Sequence, residues 1–148
     1  NTYYVRGLIE GYMGDYDAAV SDYRTFLRSE PRNWAAINDY AGVLLKAERA
    51  EDALHATVGG LADFPDNPWL LNTNAIALFE LGFREAAHAQ AYRALLASVR
   101  LTPEEWLVAY PGNDPAIASQ GIAAFQGAII ANIHSTRGTG TAGTVQSE

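Results

Sequence analysis

DAAVSDYRTFLRSEPRN (Asp17–Asn33), EDALHATVGGLADFPDN (Glu51–Asn67) and EAAHAQAYRALLASVRL (Glu85–Leu101) begin 34 residues apart. All three carry alanine at one register (Ala19, Ala53, Ala87) and leucine at another (Leu27, Leu61, Leu95), and the first two share Pro31 and Pro65. Within the first, Ala19, Val20, Tyr23, Phe26 and Leu27 fall at the spacing of one helix face. Upstream of each stretch lies another run with helical periodicity, as in Val43, Leu44 and Ala47 or Ile76 and Phe79, and Gly7, Ala41 and Ala75 put a small residue at one register of every copy. A fixed period of this length is the mark of an array in which each unit buries its apolar face against its neighbours.

Each unit therefore reads as a helical hairpin. Gly14 and Gly82 mark the turn inside the first and third hairpins, while Glu48 stands there in the second. Pro31-Arg32-Asn33 and Pro65-Asp66-Asn67 close the first two, because proline cannot continue a helical hydrogen-bond ladder. Helices are predicted near 2–13, 16–29, 34–46, 50–63, 68–80 and 84–98. The small registers allow the two helices of a hairpin to approach closely, and a large side chain there would overpack the contact.

This pattern resembles the tetratricopeptide repeat: a small residue in the first helix, glycine near the turn, alanine and an aromatic in the second helix, then proline. The first copy carries Gly7, Gly14, Ala19, Tyr23 and Pro31; the third departs from the pattern at Val99, where proline is expected. The resemblance implies an all-α, right-handed α-solenoid of three hairpins (1–33, 34–67 and 68–99), followed by C-terminal capping helices over 100–136. Residues 137–148, rich in Gly and Thr, read as a flexible tail.

Composition agrees with a folded, non-fibrous domain. Of 148 residues, 49% are hydrophobic and 18% charged, too apolar for disorder. Seventeen acidic residues against ten basic leave a formal charge of −7, whose field repels nucleic-acid phosphates and anionic lipid. Cysteine is absent, which removes disulfides and thiolate-bound zinc and assigns no compartment. The first residue is Asn1, and no basic stretch followed by an apolar segment opens the chain, so the sequence reads as an excerpt of a longer protein.

Thr102-Pro103-Glu104-Glu105 spells a capping box with proline at the first helical position, predicting a short helix to about Tyr110 that Pro111-Gly112 stops. Asp114-Pro115 opens another, in which no charged residue occurs from Pro115 to Thr136 and Ile122, Phe125, Ile129 and Ile133 form an apolar stripe. Three readings stand for helix 115–134: a cap on the third hairpin, a surface for homo-oligomerisation or docking, and a membrane segment. Ser119, Gln120, Gln126, Asn132 and His134 interrupt its apolar run, and no membrane insertion is expected.

Signals for chemistry are weak. Gly138-Thr139-Gly140-Thr141-Ala142-Gly143 spells a dinucleotide fingerprint without the strand and helix that motif requires. His55, His88 and His134 lie one per helix with no second ligand one turn on, so no metal site is expected. The carboxylate pairs Asp15/Asp17, Glu51/Asp52 and Glu104/Glu105 sit at helix starts, where they complement the helix dipole. No catalytic residue and no cofactor is expected.

In the resembled family the first helices of successive hairpins line a concave groove that holds a peptide. That implies groove candidates Tyr4, Leu8 and Tyr12 from the first copy. Asn38, Asp39, Gly42, Leu45 and Lys46 come from the second, and Trp69, Asn72, Thr73, Ile76, Phe79 and Glu80 from the third. Asn38 and Asn72 share a register and offer both donor and acceptor to a peptide backbone. The family's chaperone-binding branch clamps an acidic C-terminus with Lys, Asn and Arg; those registers here hold Tyr4, Leu8, Asp39, Trp69 and Thr73, so no such tail should bind. The expected function is a non-catalytic scaffold for a protein or peptide partner, with nucleic acid excluded. The alternatives are an assembly element acting through helix 115–134 and the accessory domain of a larger enzyme.

Overall fold

The computed structural model describes residues 1–137. The glycine motif 138–143 and all but the first residue of the expected tail lie outside them. The described chain is all-helical: α1 (Thr2–Met13), α2 (Tyr16–Ser29), α3 (Trp34–Lys46), α4 (Ala50–Asp63), α5 (Pro68–Glu80), α6 (Arg84–Ser98), α7 (Pro103–Ala109), a 3-10 turn (Pro115–Ile117) and α8 (Ala118–Arg137). Helices α1 to α6 coincide with the six spans expected from the repeat.

Local chemistry explains where each helix begins and ends. Asn33 and Asn67, one repeat apart, each accept a backbone N–H in the first turn of α3 and α5. Thr102 and Glu105 form the reciprocal capping box at α7. Gly14 and Gly82 adopt left-handed backbone at φ 83° and 88°, and Glu48 takes the same conformation at φ 60°.

Packing follows the small registers. Ala19, Ala53 and Ala87 are fully buried, as are Ala41 and Ala75 to within 2%, and Gly7 lies against the ring of Tyr23. A first core joins Val20 and Tyr23 of α2 to Val43 and Leu44 of α3; a second joins Leu71 of α5 and Ala91 and Ala94 of α6 to Ile129 and Ile133 of α8. Each hairpin's second helix lies on the first helix of the next: α2 on α3, α4 on α5, and α6 on α8. First helices also touch one another in succession, α1 to α3, α3 to α5 and α5 to α8. Thus α8 holds the place of the first helix of a fourth hairpin, with α7 and its flanking loops inserted before it. Contact along the first-helix layer bends the array toward that face, which becomes the inner one.

One placement differs from expectation. Trp69 is 6% exposed, stacked between Trp34 (ring centroids 5.0 Å apart) and Phe125 (5.3 Å). By length and composition the segment Pro115–Arg137 is also able to cross a bilayer: 23 residues, with a mean hydropathy of 1.3 over its most apolar 18-residue window, of which only 17% is buried.

Candidate functional site

The inner face is organised by side-chain bonds between successive first helices. The Tyr4 hydroxyl donates to Asp39 Oδ2 at 2.7 Å, Thr73 Oγ1 donates to Asn38 Oδ1 at 2.7 Å, and Asn132 Nδ2 donates to Asn72 Oδ1 at 2.9 Å. Tyr4, Asn38 and Asn72 share one register; Asp39 and Thr73 share the next. Three rungs therefore tie α1, α3, α5 and α8 side by side, and the third places Asn132 of α8 where Thr73 and Asp39 stand in earlier helices. Trp34, Trp69 and Phe125 form a parallel aromatic stack across α3, α5 and α8, and the Trp69 indole N–H donates to the Tyr110 hydroxyl at 3.1 Å.

The sequence-derived groove residues divide accordingly. Tyr4, Asn38, Asp39, Asn72 and Thr73 are rungs, with Thr73 buried to 8% exposure. Leu8 packs on the first core, and Trp69 is held under the C-terminal helices. Gly42, Leu45, Ile76 and Phe79 are half-buried between these and the rim, and Phe79 carries the guanidinium of Arg84 over its ring at 5.6 Å. Tyr12 (89% exposed), Lys46 and Glu80, one register in three helices, stand open at the turn end of the groove.

Burial raises the pKa of the Asp39 carboxyl above the ordinary aspartate value, the bond from Tyr4 opposing this in part. Burial, then Asp39 itself, push the Tyr4 hydroxyl well above the usual phenol range, so Tyr4 stays a hydrogen-bond donor. On the other side of α1, Arg6 pairs with Asp22 of α2 and holds that carboxyl below its ordinary range.

A second concavity of about 720 Å³ opens near the start of α5, walled by Trp34, Phe64, Pro65, Leu96, Leu101 and Val108, with Arg93 and Arg100 at its edge. Repeat periodicity could not find it, since α7 and the loop 99–102 that build one wall belong to no repeat. Among the described residues no cluster of three His, Asp or Glu side chains is placed to hold a metal.

The Tetratricopeptide repeat family profile matches residues 4–68. Over those residues the chain carries tetratricopeptide repeats. Solved tetratricopeptide domains share its fold. The first such domain of Spaghetti (RPAP3), bound to the HSP90 peptide SRMEEVD, is 17% identical with a TM-score of 0.60, covering 87% of this chain and 91% of that one. The Sgt2 domain from Aspergillus fumigatus is 15% identical with a TM-score of 0.64, covering 93% and 81%. MamA is 15% identical with a TM-score of 0.59, covering 88% and 74%. No curated protein sequence matches the chain. Tetratricopeptide solenoids are in general non-catalytic platforms for protein–protein interaction, and this chain has that scaffold.

Proposed function

We infer that the chain binds an extended peptide segment of a partner protein along its inner face, without catalysis. One observation carries this reading: Asn38 and Asn72, one repeat apart on adjacent helices, are each held through the carboxamide oxygen. Among the described residues the Nδ2 of each has no partner. Two immobilised amide donors in one register suit the carbonyls of an extended backbone, which has no internal bonds to compete for them. Tyr12, Lys46 and Glu80 supply an exposed aromatic and both charge signs at the rim for side-chain selection. Trp69 supports the floor from beneath rather than meeting the ligand.

Selection from a random peptide library tests this. Wild type should enrich a defined set of sequences that the double variant Asn38→Ala, Asn72→Ala no longer retains, with its circular dichroism unchanged. No enrichment by wild type would refute groove binding. The acidic peptide SRMEEVD carried by the RPAP3 domain should not bind, because Asp39 and Thr73 stand at clamp registers. Micromolar affinity for it, lost in Tyr4→Ala, would overturn that reading of the groove.

A further inference from the structure

The outer surface of the array, formed by the second helices, changes character along the chain. Arg24 and Arg28 of α2 give way one repeat on to Val58 and Ala62 of α4, and two repeats on to Tyr92 and Leu96 of α6. All six are exposed, Val58, Tyr92 and Leu96 by more than half. These registers look away from the neighbouring hairpins in every copy, so their exposure does not depend on where the chain starts or stops. Apolar side chains gathered on an outer face mark a surface that meets another molecule.

That surface is grooved. Helices α4 and α6 each pack on α5 and leave between them a trough of about 670 Å³. Leu54, Val58 and Ala62 wall it on one side, Ala86 and Ala89 on the other, and Leu78 of α5 lies at its floor. Among the described residues Arg93 is the one charged side chain lining it, in a chain of net charge −7. At Pro65 and Arg93 the trough opens into the concavity walled by Leu96 and Val108, where Arg100 stands seven residues beyond Arg93. Neutral acceptors hold Arg93: Gln90 Oε1 at 2.8 Å and the Pro65 carbonyl at 3.5 Å. Neither guanidinium pairs with a carboxylate among the described residues. Of the acids bordering the concavity, Asp63 pairs with Arg32 at 3.6 Å and Glu105 accepts the Thr102 N–H, which leaves Asp66 against two arginines.

A helix suits this trough better than an extended strand. Both walls are helices whose backbone groups are already bonded, so an extended segment would bury unpaired N–H and C=O groups between them. A helix satisfies its own and can set an apolar stripe into the seam. From Ala86 to Leu96 the α6 wall runs about 15 Å, room for about three turns. Residues 138–148 carry one large apolar side chain, Val145, and do not supply such a stripe. We propose that the outer groove between α4 and α6 takes an amphipathic helix of a partner protein, its apolar face inward and its acidic residues on Arg93 and Arg100. The idea is independent of inner-face binding, since it uses none of the rung residues.

Two fluorescent peptides test it, each a helix of about five turns with leucines along one stripe. At the stripe's margin one carries glutamate at seven-residue spacing and the other lysine. Anisotropy should show wild type binding the glutamate peptide and not the lysine peptide. Val58→Arg, which places the α2 residue in α4, should weaken the glutamate peptide about tenfold or more, as should the double variant Arg93→Glu, Arg100→Glu. The charge-reversed protein should then take the lysine peptide, which also shows it to be folded. Asn38→Ala, Asn72→Ala should bind the glutamate peptide as wild type does, so that failure here and failure of inner-face binding are read separately. Four outcomes would overturn the proposal: no binding of the glutamate peptide by wild type; equal binding of both peptides; undiminished binding of a copy broken by a central proline, which would mean an extended ligand; or dimerisation of wild type abolished by Val58→Arg, which would give the groove to a second copy.

Discussion

Glu48 occupies the left-handed backbone that Gly14 and Gly82 occupy in the other two hairpins, and a side chain there crowds its own carbonyl. Glu48→Gly should raise stability by about 1 kcal/mol, the relief of that crowding less glycine's greater freedom in the unfolded chain. Urea denaturation measures it. At Asp39 the sign concerns protons. A carboxyl whose pKa is raised by folding holds its proton longer in the native state. Its contribution is complete below the ordinary aspartate value and is lost as pH climbs through the folded one. Asp22, lowered by Arg6, behaves oppositely: its contribution is present above the ordinary value and disappears as pH falls through the folded one. Urea midpoints taken from about pH 4 to about pH 7 should therefore decline less in Asp39→Asn than in wild type. An equal decline would place the titrating group elsewhere.

Among elements, α7 and α8 make the sharpest case. Gly121 of α8 faces the indole of Trp106 so closely that a Cβ would overlap the ring, whereas a Cβ on Gly127, two turns on, would meet nothing. Gly121→Ala should cost about 1–3 kcal/mol through overpacking and shift the tryptophan emission. Gly127→Ala should gain up to about 1 kcal/mol from helix propensity alone. If the two behaved alike in thermal melts, the α7–α8 contact would be misplaced. The helices were the most legible part of the sequence, since period, caps and breakers all act within one repeat. Their side chains were less so. Trp69 reads as a groove residue by register, and its burial depends on Phe125 and Tyr110, which no repeat copy could supply. The rungs were hidden for a related reason: Asn38 and Asn72 look equivalent in sequence, but one is met by a threonine of the next repeat and the other by an asparagine of α8.

For the molecule as a whole, a solenoid's stability is a sum of units and the interfaces between neighbours, so an end without a partner is its weakest part. Removing α7 and α8 would uncover Leu71, Ala91 and Ala94 together with the face of Trp69. A chain ending at Ser98 should keep helical circular dichroism in proportion to its length but bind a hydrophobic dye and melt well below wild type. Melting unchanged would show α8 to be a passenger rather than the completing layer.

The two junctions between second helices and the hairpin that follows are written in different chemistry. Tyr23 meets Tyr40 through rings 6.5 Å apart at the first. At the second, the equivalent pair is Thr57 and Asn74, bonded at 3.0 Å, with Gln90 completing the Asn74 carboxamide at 2.9 Å. The hairpins consequently are not interchangeable bricks. A slipped or exchanged arrangement that set Tyr23 against Asn74 would strand a buried amide, at a cost of about 1–3 kcal/mol, and the matching error at Tyr40 would leave the Thr57 hydroxyl without its amide. Each joint thus carries an address, and a chain of near-identical units can find its own order while it folds.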